Sequence, residues 1–500
     1  MTLARPAIVA GMPILYDGDK FAFVPAAVAE VFQPGDRLVI IEESGELLHV
    51  PAAATAAAGQ AVSSALEAFN VVRGVEDKAI GRFFGAFADR LATVETWAAI
   101  AEANETDLAR ASARGRSTTR LSISGSARGE MIAGLRAWRE AAPSRGRLIE
   151  GVDHDGWSVE NLTAPLGVVG FVFEGRPGVV ADAAGVVHGG NTAVLRIGGD
   201  ALATARAILR HAVEPALETA GLPPGALSLI DSADHAAAWA LFRDRRLALA
   251  VARGSGPAVA QLGAIARQSG IPVSLHGTGG AWLIADKTAR TERFASAVQA
   301  SLDRKVCNTL NVCCIVRPRA AELVPVFLQA LHRAGETLGH GARLHVARGD
   351  ETWLPADWLS SRVMVRRADG DHDEPLADTL GLDDLATEWD WEQTPEVSLK
   401  IVEDLDEAIT LFNRLSPRFS ASLIAEDSEA RERFYAAIEA PFFGDGFTRW
   451  VDGQYAFGRP ELGLSNWQSG RLLGRGAIVS GDDVFTIRTR MRQKDMRLRR

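Results

Sequence analysis

From Pro165 onward the chain alternates uninterrupted apolar runs with helical stretches, and this alternation restricts the fold more than any other feature. Residues 166–173 are almost continuously apolar. Residues 179–188 read as a short helix and 191–197 as a second strand. A helix over 201–220, a strand over 226–230, a helix over 236–244, a strand over 247–252, a helix over 258–268 and a strand over 271–275 follow. Strands that are apolar on both faces must be covered on both faces, the condition met by a parallel sheet inside an α/β domain.

Parallel sheets take ligands at the carboxyl ends of their strands. Four such ends are rich in glycine: Glu174-Gly175-Arg176, Gly198-Gly199-Asp200, Arg253-Gly254-Ser255-Gly256 and His276-Gly277-Thr278-Gly279-Gly280. Glycine lets backbone approach a ligand closely, and helix N-termini offer amides to phosphate. Each alone is an ordinary turn; together they favour a dinucleotide site.

Upstream, residues 60–140 carry helical spacing, with Ile80, Phe83, Phe84, Phe87, Leu91, Trp97 and Ile100 on apolar faces. Residues 1–55 read as a small strand-rich extension, with β-type runs at 7–10, 21–24, 38–41 and 47–50. The helix over 201–220 is expected to kink at Pro215 and to end at Gly221, which suits a left-handed C-terminal position.

Cys307 is one of three cysteines in 500 residues, in the segment Lys305-Val306-Cys307-Asn308-Thr309. A polar-flanked thiol where one region hands over to another reads as a nucleophile, or else as a buried structural cysteine. Cys313 and Cys314 lie in an apolar run and read as core, and nothing resembles a metal cluster. Three cysteines make no disulfide framework, so a reducing cytoplasm is the expected location. A formal net charge of −9 argues against a dedicated nucleic-acid or anionic-membrane binder. No apolar run reaches the roughly 18 residues that span a bilayer, and the N-terminus carries no secretory pattern. The basic stretch 488–500 reads as a solvated tail.

The order of these pieces resembles the aldehyde dehydrogenase superfamily, nearest its gamma-glutamyl phosphate reductase branch. The resemblance is carried by Pro165-Leu-Gly-Val-Val-Gly170, Glu174-Gly-Arg-Pro177, Gly190-Asn-Thr-Ala-Val-Leu-Arg196, Gly221-Leu-Pro-Pro-Gly225, Ile271-Pro-Val273 and Val306-Cys-Asn-Thr309. Further on it is carried by Lys400-Ile-Val-Glu-Asp-Leu-Asp-Glu-Ala-Ile409 and Phe447-Thr-Arg-Trp-Val-Asp-Gly453. It covers about residues 60 to 490.

This resemblance implies a three-layer α/β aldehyde dehydrogenase-type fold. A Rossmann-like NAD(P)-binding domain would cover 56–300 and an α/β catalytic domain 301–465. A small oligomerisation flap would use segments near 148–163 and within 466–500, with a strand at 484–487 and a homodimer or homotetramer as the assembly. The implied reaction is reduction of a small-molecule acyl phosphate to an aldehyde with NADP or NAD as cofactor. Gamma-glutamyl phosphate, in proline formation, is the nearest substrate. The Cys307 thiolate would attack the acyl carbon and expel phosphate, and hydride transfer to the thioester would release the aldehyde.

The same resemblance implies the site residues. Cys307, Asn308 and Arg176 are the expected catalytic set. A guanidinium at Arg176 suits a phosphorylated substrate, or is a plain ion-pair partner. Lys305 would raise the local positive potential that a thiol needs to ionise, or is surface charge. Arg196, Gly198 and Asp200 would flank the adenosine ribose, Arg253, Gly254 and Gly256 the pyrophosphate, and Glu392 the nicotinamide ribose. Arg449 would meet a distal substrate carboxylate, with Asp445 beside it. Asp200 favours a free 2′-hydroxyl whereas the branch leans to NADP, so both cofactors stay open.

Several positions depart from the branch: Gly178 for an asparagine, Ile197 for a glycine, Asn311 for a glutamate after the cysteine, and Asp445 for an asparagine. Oxidising relatives carry a glutamate just after the 271–273 type strand to activate water. Here that place reads Ser274-Leu275-His276, and no Asp or Glu occurs between Asp244 and Asp286. Without a base for water, the thioester waits for phosphate or another acceptor. Three alternatives follow: a paralogue acting on another acyl phosphate or acyl thioester, an aldehyde oxidiser using His276 as base, and a non-catalytic scaffold.

Overall fold

Two parallel sheets organise the chain, each in its own compact unit. In this computed structural model the described residues are 8–499 apart from 117, 119, 120, 124, 174, 278, 368, 369, 450–455, 469 and 470. Ala7, Glu174, Thr278 and motif residues 450–453 therefore lie outside them. The first unit comprises Met1–Gly277, Phe457–Leu464 and Ile478–Arg500; the second comprises Thr278–Ala456 and Ser465–Ala477.

The first unit's sheet contains β1 (Val168–Phe173), β2 (Thr192–Ile197), β3 (Leu227–Leu229), β4 (Leu247–Arg253) and β5 (Val273–His276). All are parallel, in the order β5-β4-β1-β2-β3. Every residue of β1 and β2 is buried. Alternation sends Val169, Phe171 and Phe173 into the core on one face and Val168 and Val172 into the core on the other. Successive strands leave β1 first on one side and then on the other, so the chain switches direction between β1 and β4. That switch point is where such sheets take ligands.

The helical stretch divides into Ala52–Val72, Asp77–Ala92, Val94–Ala113 and Gly125–Glu140. Phe83, Phe84 and Phe87 are fully buried against Trp138 and α1 (Val179–His188). Gly185 of α1 admits the Trp138 indole, for a Cβ there would lie 2.8 Å from the ring. The expected 201–220 helix is interrupted. Leu202–Ile208 and Glu214–Ala220 are α-helical, with a π-helical turn at Leu209–Val213 between them. Pro215 has no amide to donate to the preceding turn, which opens. Gly221 ends the element left-handed at φ 69°.

The front extension is less autonomous than its composition implies. Pro13–Tyr16 pairs with Lys20–Phe23, and Arg37–Ile40 pairs with Leu47–Val50. The second hairpin sends Val39, Leu48 and Val50 into the core beside β1 and β4, whereas 8–10 form no strand. Leu148–His154, Trp157–Pro165 and Phe485–Gln493 make a separate three-stranded antiparallel sheet. Residues 488–493, expected as tail, are thus strand, held by backbone pairing to 157–162.

In the second unit, β6 (Ala281–Ala285), β7 (Leu310–Val316), β8 (Arg343–Ala347), β9 (Ala377–Leu380), β10 (Glu396–Val402), β11 (Ser420–Ile424) and β12 (Phe442–Gly444) form one parallel sheet. Their order is β9-β8-β10-β7-β6-β11-β12. Because β6 bonds to β7 and β11, the units divide after Gly277 rather than near 300. Among the described residues no helix is long and apolar enough to cross a membrane.

Candidate active site

In the first unit the expected cofactor residues gather at the carboxyl ends of the sheet. β1 runs into a loop where Gly175 is left-handed at φ 57° and Arg176 and Pro177 lead into α1. Arg196, near the end of β2, is almost fully buried and donates to the Ala233 carbonyl at 3.0 Å. Gly198 opens the short turn that presents Asp200. The Asp200 carboxylate is met by two arginines, Arg114 at 3.4 Å and Arg116 more closely. They come from the end of the Val94–Ala113 helix and the turn after it.

β4 ends at Arg253, which donates to the Leu462 carbonyl at 3.1 Å. The Gly254 amide donates to the His276 carbonyl at 3.3 Å. Gly256 begins α2 (Gly256–Gln268), and the Ser255 side chain does not cap its amides. A Cβ on Gly277 would lie 3.0 Å from Gly256 Cα, so the close approach of these two loops depends on glycine at 277. A helix N-terminus without a side-chain cap, close glycine backbone and an acid and cations at the second strand end fit the pyrophosphate and ribose of a dinucleotide.

In the second unit a tight turn presents Cys307. Thr309 closes it: its hydroxyl accepts the Val306 amide at 2.8 Å and donates to the Arg304 carbonyl at 2.7 Å. The Gly280 amide donates to the Cys307 carbonyl at 2.7 Å. Cys307 is half-buried, whereas Cys313 and Cys314 are sealed in β7, where burial pushes both thiols well up from their ordinary range. One half-buried thiol is therefore distinguished from two sealed ones.

The segment before 450 packs on the same turn. The Thr448 hydroxyl donates to the Asn308 carbonyl at 2.7 Å, and its amide donates to Ser301 at 2.8 Å. Arg449 is almost fully buried and ion-paired with Asp303. Asn308 is buried as well, and its side-chain oxygen has no partner among the described residues.

Thus Cys307, Asn308 and Arg449 come together, with Arg449 bracing the turn that carries Cys307 through Asp303. Lys305 is buried and bound to Glu388 at 2.9 Å, so its charge is already compensated. Asp445 is neutralised by Arg293 at 2.7 Å, which removes the repulsion toward an anionic substrate that its charge implies. Glu392 is half-buried in the stretch leading to β10, while Glu388 reaches the 279–280 turn that packs on Cys307. Both Glu388 oxygens are engaged, by Lys305 and by the Gly279 amide, so it is not a free base for water.

Sequence reasoning missed Glu388, Asp303, Arg114 and Arg116. All are surface-type charges far along the chain from the residues they serve. The one available signal was Asn311: where relatives carry a glutamate after the cysteine, this chain has an amide, so a carboxylate from elsewhere has room to enter.

Residues 39–345 match the aldehyde dehydrogenase family. The chain is 30% identical over 327 residues to gamma-glutamyl phosphate reductase 1 of Bacillus licheniformis, covering 64% of this chain and 71% of that one. It is 30% identical over 375 residues to the gamma-glutamyl phosphate reductase of Limosilactobacillus reuteri, covering 73% and 82%. The crystal structure of gamma-glutamyl phosphate reductase from Thermotoga maritima shares the fold, with a TM-score of 0.74 at 22% identity, over 89% of this chain and 100% of that one.

Proposed function

Because this chain belongs to the aldehyde dehydrogenase family, in its gamma-glutamyl phosphate reductase branch, we propose that it reduces an acyl phosphate to an aldehyde through a thioester on Cys307. The substrate is gamma-glutamyl phosphate and the product glutamate-5-semialdehyde, a step of proline formation. The observation that carries this reading is one half-buried thiol whose turn is reached, among the described residues of its unit, by a carboxylate that is already engaged at both oxygens. The 273–280 stretch has no acid, and Glu388 is doubly engaged. Among the described residues Glu388 is the carboxylate that reaches the Cys307 turn, and with both oxygens held it is not placed to direct water onto a thioester formed there.

The chain's own residues divide the work. Cys307 supplies the nucleophile and Asn308 the buried amide next to it. Arg449 and Asp303 hold the turn. Arg176 offers a bidentate donor for the departing phosphate. The β1, β2 and β4 ends hold the cofactor, with Arg196, Gly198 and Asp200 on the ribose side, Arg253, Gly254 and Gly256 on the pyrophosphate side, and Glu392 for the second ribose. Bound there, a reduced nicotinamide supplies the hydride. Arg114 and Arg116 outweigh the Asp200 charge and so favour NADPH, since a cation at this strand end accommodates a 2′-phosphate. A cytoplasmic homodimer or homotetramer fits the antiparallel sheet, whose Leu148–His154 strand is exposed along its whole length.

The test is the reverse reaction, glutamate-5-semialdehyde with NADP+ or NAD+, with and without inorganic phosphate. Strict phosphate dependence is expected. Equal rates without phosphate would overturn the proposal in favour of aldehyde oxidation.

A further inference from the structure

Glu388 touches the nucleophile turn from the stretch leading to β10, and the proposed reaction gives it no role. One carboxylate oxygen accepts from the Lys305 ammonium at 2.9 Å and the other from the Gly279 amide at 2.6 Å. The next amide, that of Gly280, donates to the Cys307 carbonyl at 2.7 Å. Consecutive amides of one turn therefore tie Glu388 to the backbone of Cys307. A Cβ built on Gly279 would lie 2.7 Å from Cys307 Cα and 2.9 Å from Glu388 Oε1, so acid and nucleophile backbone close on the same point.

Glu388 is itself held in place. The Asn311 side-chain oxygen accepts the Trp389 amide at 2.9 Å, and its nitrogen donates to the Thr387 carbonyl at 2.8 Å. Both chain neighbours of Glu388 are thereby clamped to β7, the strand that follows the nucleophile. A glutamate at 311 has no N–H to donate to Thr387. The departure at Asn311 and the presence of Glu388 are thus two halves of one arrangement.

We infer that Glu388 is a positioning residue for Cys307: it fixes the 279–280 turn against the nucleophile and, by compensating Lys305, sets how much positive charge the thiol feels. The inference rests on Cys307 being the nucleophile. The Lys305 side chain is 6% exposed, so its charge is little screened by water or salt. Uncompensated, two positions from Cys307, it would favour the thiolate; compensated, it holds the 305–307 turn without making the thiol permanently ionised and open to oxidation.

The experiment is the pH dependence of iodoacetamide alkylation of the full-length protein, in which thiolate sulfur bonds to the reagent's methylene carbon and iodide leaves. Cys313 and Cys314 are sealed, and Cys307→Ser gives the blank. Glu388→Gln keeps a side-chain oxygen for the Gly279 amide and removes the charge. It is expected to lower the alkylation midpoint by about one pH unit. Lys305→Gln leaves the carboxylate uncompensated and is expected to raise the midpoint by about as much.

Loosened packing would move both variants the same way, so opposed shifts support the inference. Unmoved midpoints or shifts of one sign overturn it. If Glu388→Gln does not fold, the absence of a rise in Lys305→Gln overturns it alone. Opposed shifts in a protein without phosphate-dependent turnover would leave the positioning role standing and remove the acyl phosphate reading.

Discussion

Gly279 stands so close to the backbone of Cys307 that a Cβ there would fall 2.6 Å from the Cys307 carbonyl oxygen and 2.7 Å from its Cα. Backbone cannot give way as a flexible side chain does. Gly279→Ala must therefore push the Cys307 turn aside, and displacements near 1 Å at a reacting group cost about 100-fold in rate. We expect the turnover number to fall by about that factor, with overpacking costing about 1–3 kcal/mol of stability. Steady-state kinetics and a thermal melt check both. A rate within twofold of the unmodified protein would mean the contact is loose.

Asn191 is completely buried and makes four hydrogen bonds. Its oxygen accepts the Leu166 and Gly167 amides ahead of β1, and its nitrogen donates to the carbonyls of Val186 and Val484. Asn191→Ala takes this partner from the Leu166 and Gly167 amides and the Val484 carbonyl, at about 1–3 kcal/mol each, while the Val186 carbonyl keeps the Asn191 backbone amide. A loss of about 3 kcal/mol or more is expected in urea unfolding, with the Cys307 alkylation rate unchanged in the folded protein.

Arg114 and Arg116 both meet Asp200 at the end of β2. Replacing both arginines with alanine should weaken NADPH binding by about tenfold and leave NADH binding nearly unchanged, since only the former carries a 2′-phosphate. Asp200→Ala should act in the opposite direction and tighten NADPH. Titration calorimetry reads both. Equal losses for the two cofactors would place the arginines outside the ribose site.

His345 lies flat on Trp389 at 3.6 Å between ring centroids, with Nδ1 2.6 Å from Asp378 and Nε2 3.1 Å from Glu396. Only the imidazolium donates from both nitrogens. Burial pulls the His345 pKa down, but the bonds to Asp378 and Glu396 outweigh it and hold it above the ordinary value. Burial likewise pushes Asp378 and Glu396 up, and their bonds to His345 and arginine outweigh that and hold them low.

The raised histidine contributes stability that is fully present below its unfolded pKa of about 6.5 and is lost as pH rises through the folded value. The two depressed carboxylates contribute above about pH 4 and lose it as pH falls through their folded values. Thermal stability should therefore be highest between these limits and decline on the alkaline side. His345→Gln should flatten that decline in melts from pH 5 to 9. An alkaline decline of unchanged depth would assign it to other groups.

Much of this was legible in the chain itself. The apolar runs 166–173, 191–197, 247–252 and 271–275 became strands of one sheet because burial on both faces demands continuous hydrophobicity. α1 begins and ends where its spacing placed it, at Val179 and His188. The 201–220 helix was right in extent but not in kind. The periodicity persists across the π turn, and only the missing Pro215 amide betrays it. Residues 37–50 looked like part of a separate module since short hairpins look alike in sequence whether or not a core lies beneath them.

Local order and the first unit's parallel sheet were the sequence's to determine. They follow from periodicity and from glycine and proline geometry. The partnerships were not: Lys305 with Glu388, Arg449 with Asp303, Asp200 with Arg114 and Arg116, Asp445 with Arg293. Each joins charges distant in sequence, and whether a charge is free or compensated depends on what the folded chain brings back to within a few ångströms of it. Only the tertiary structure decides that, and with it which of the expected site residues can act on a substrate and which hold the site together.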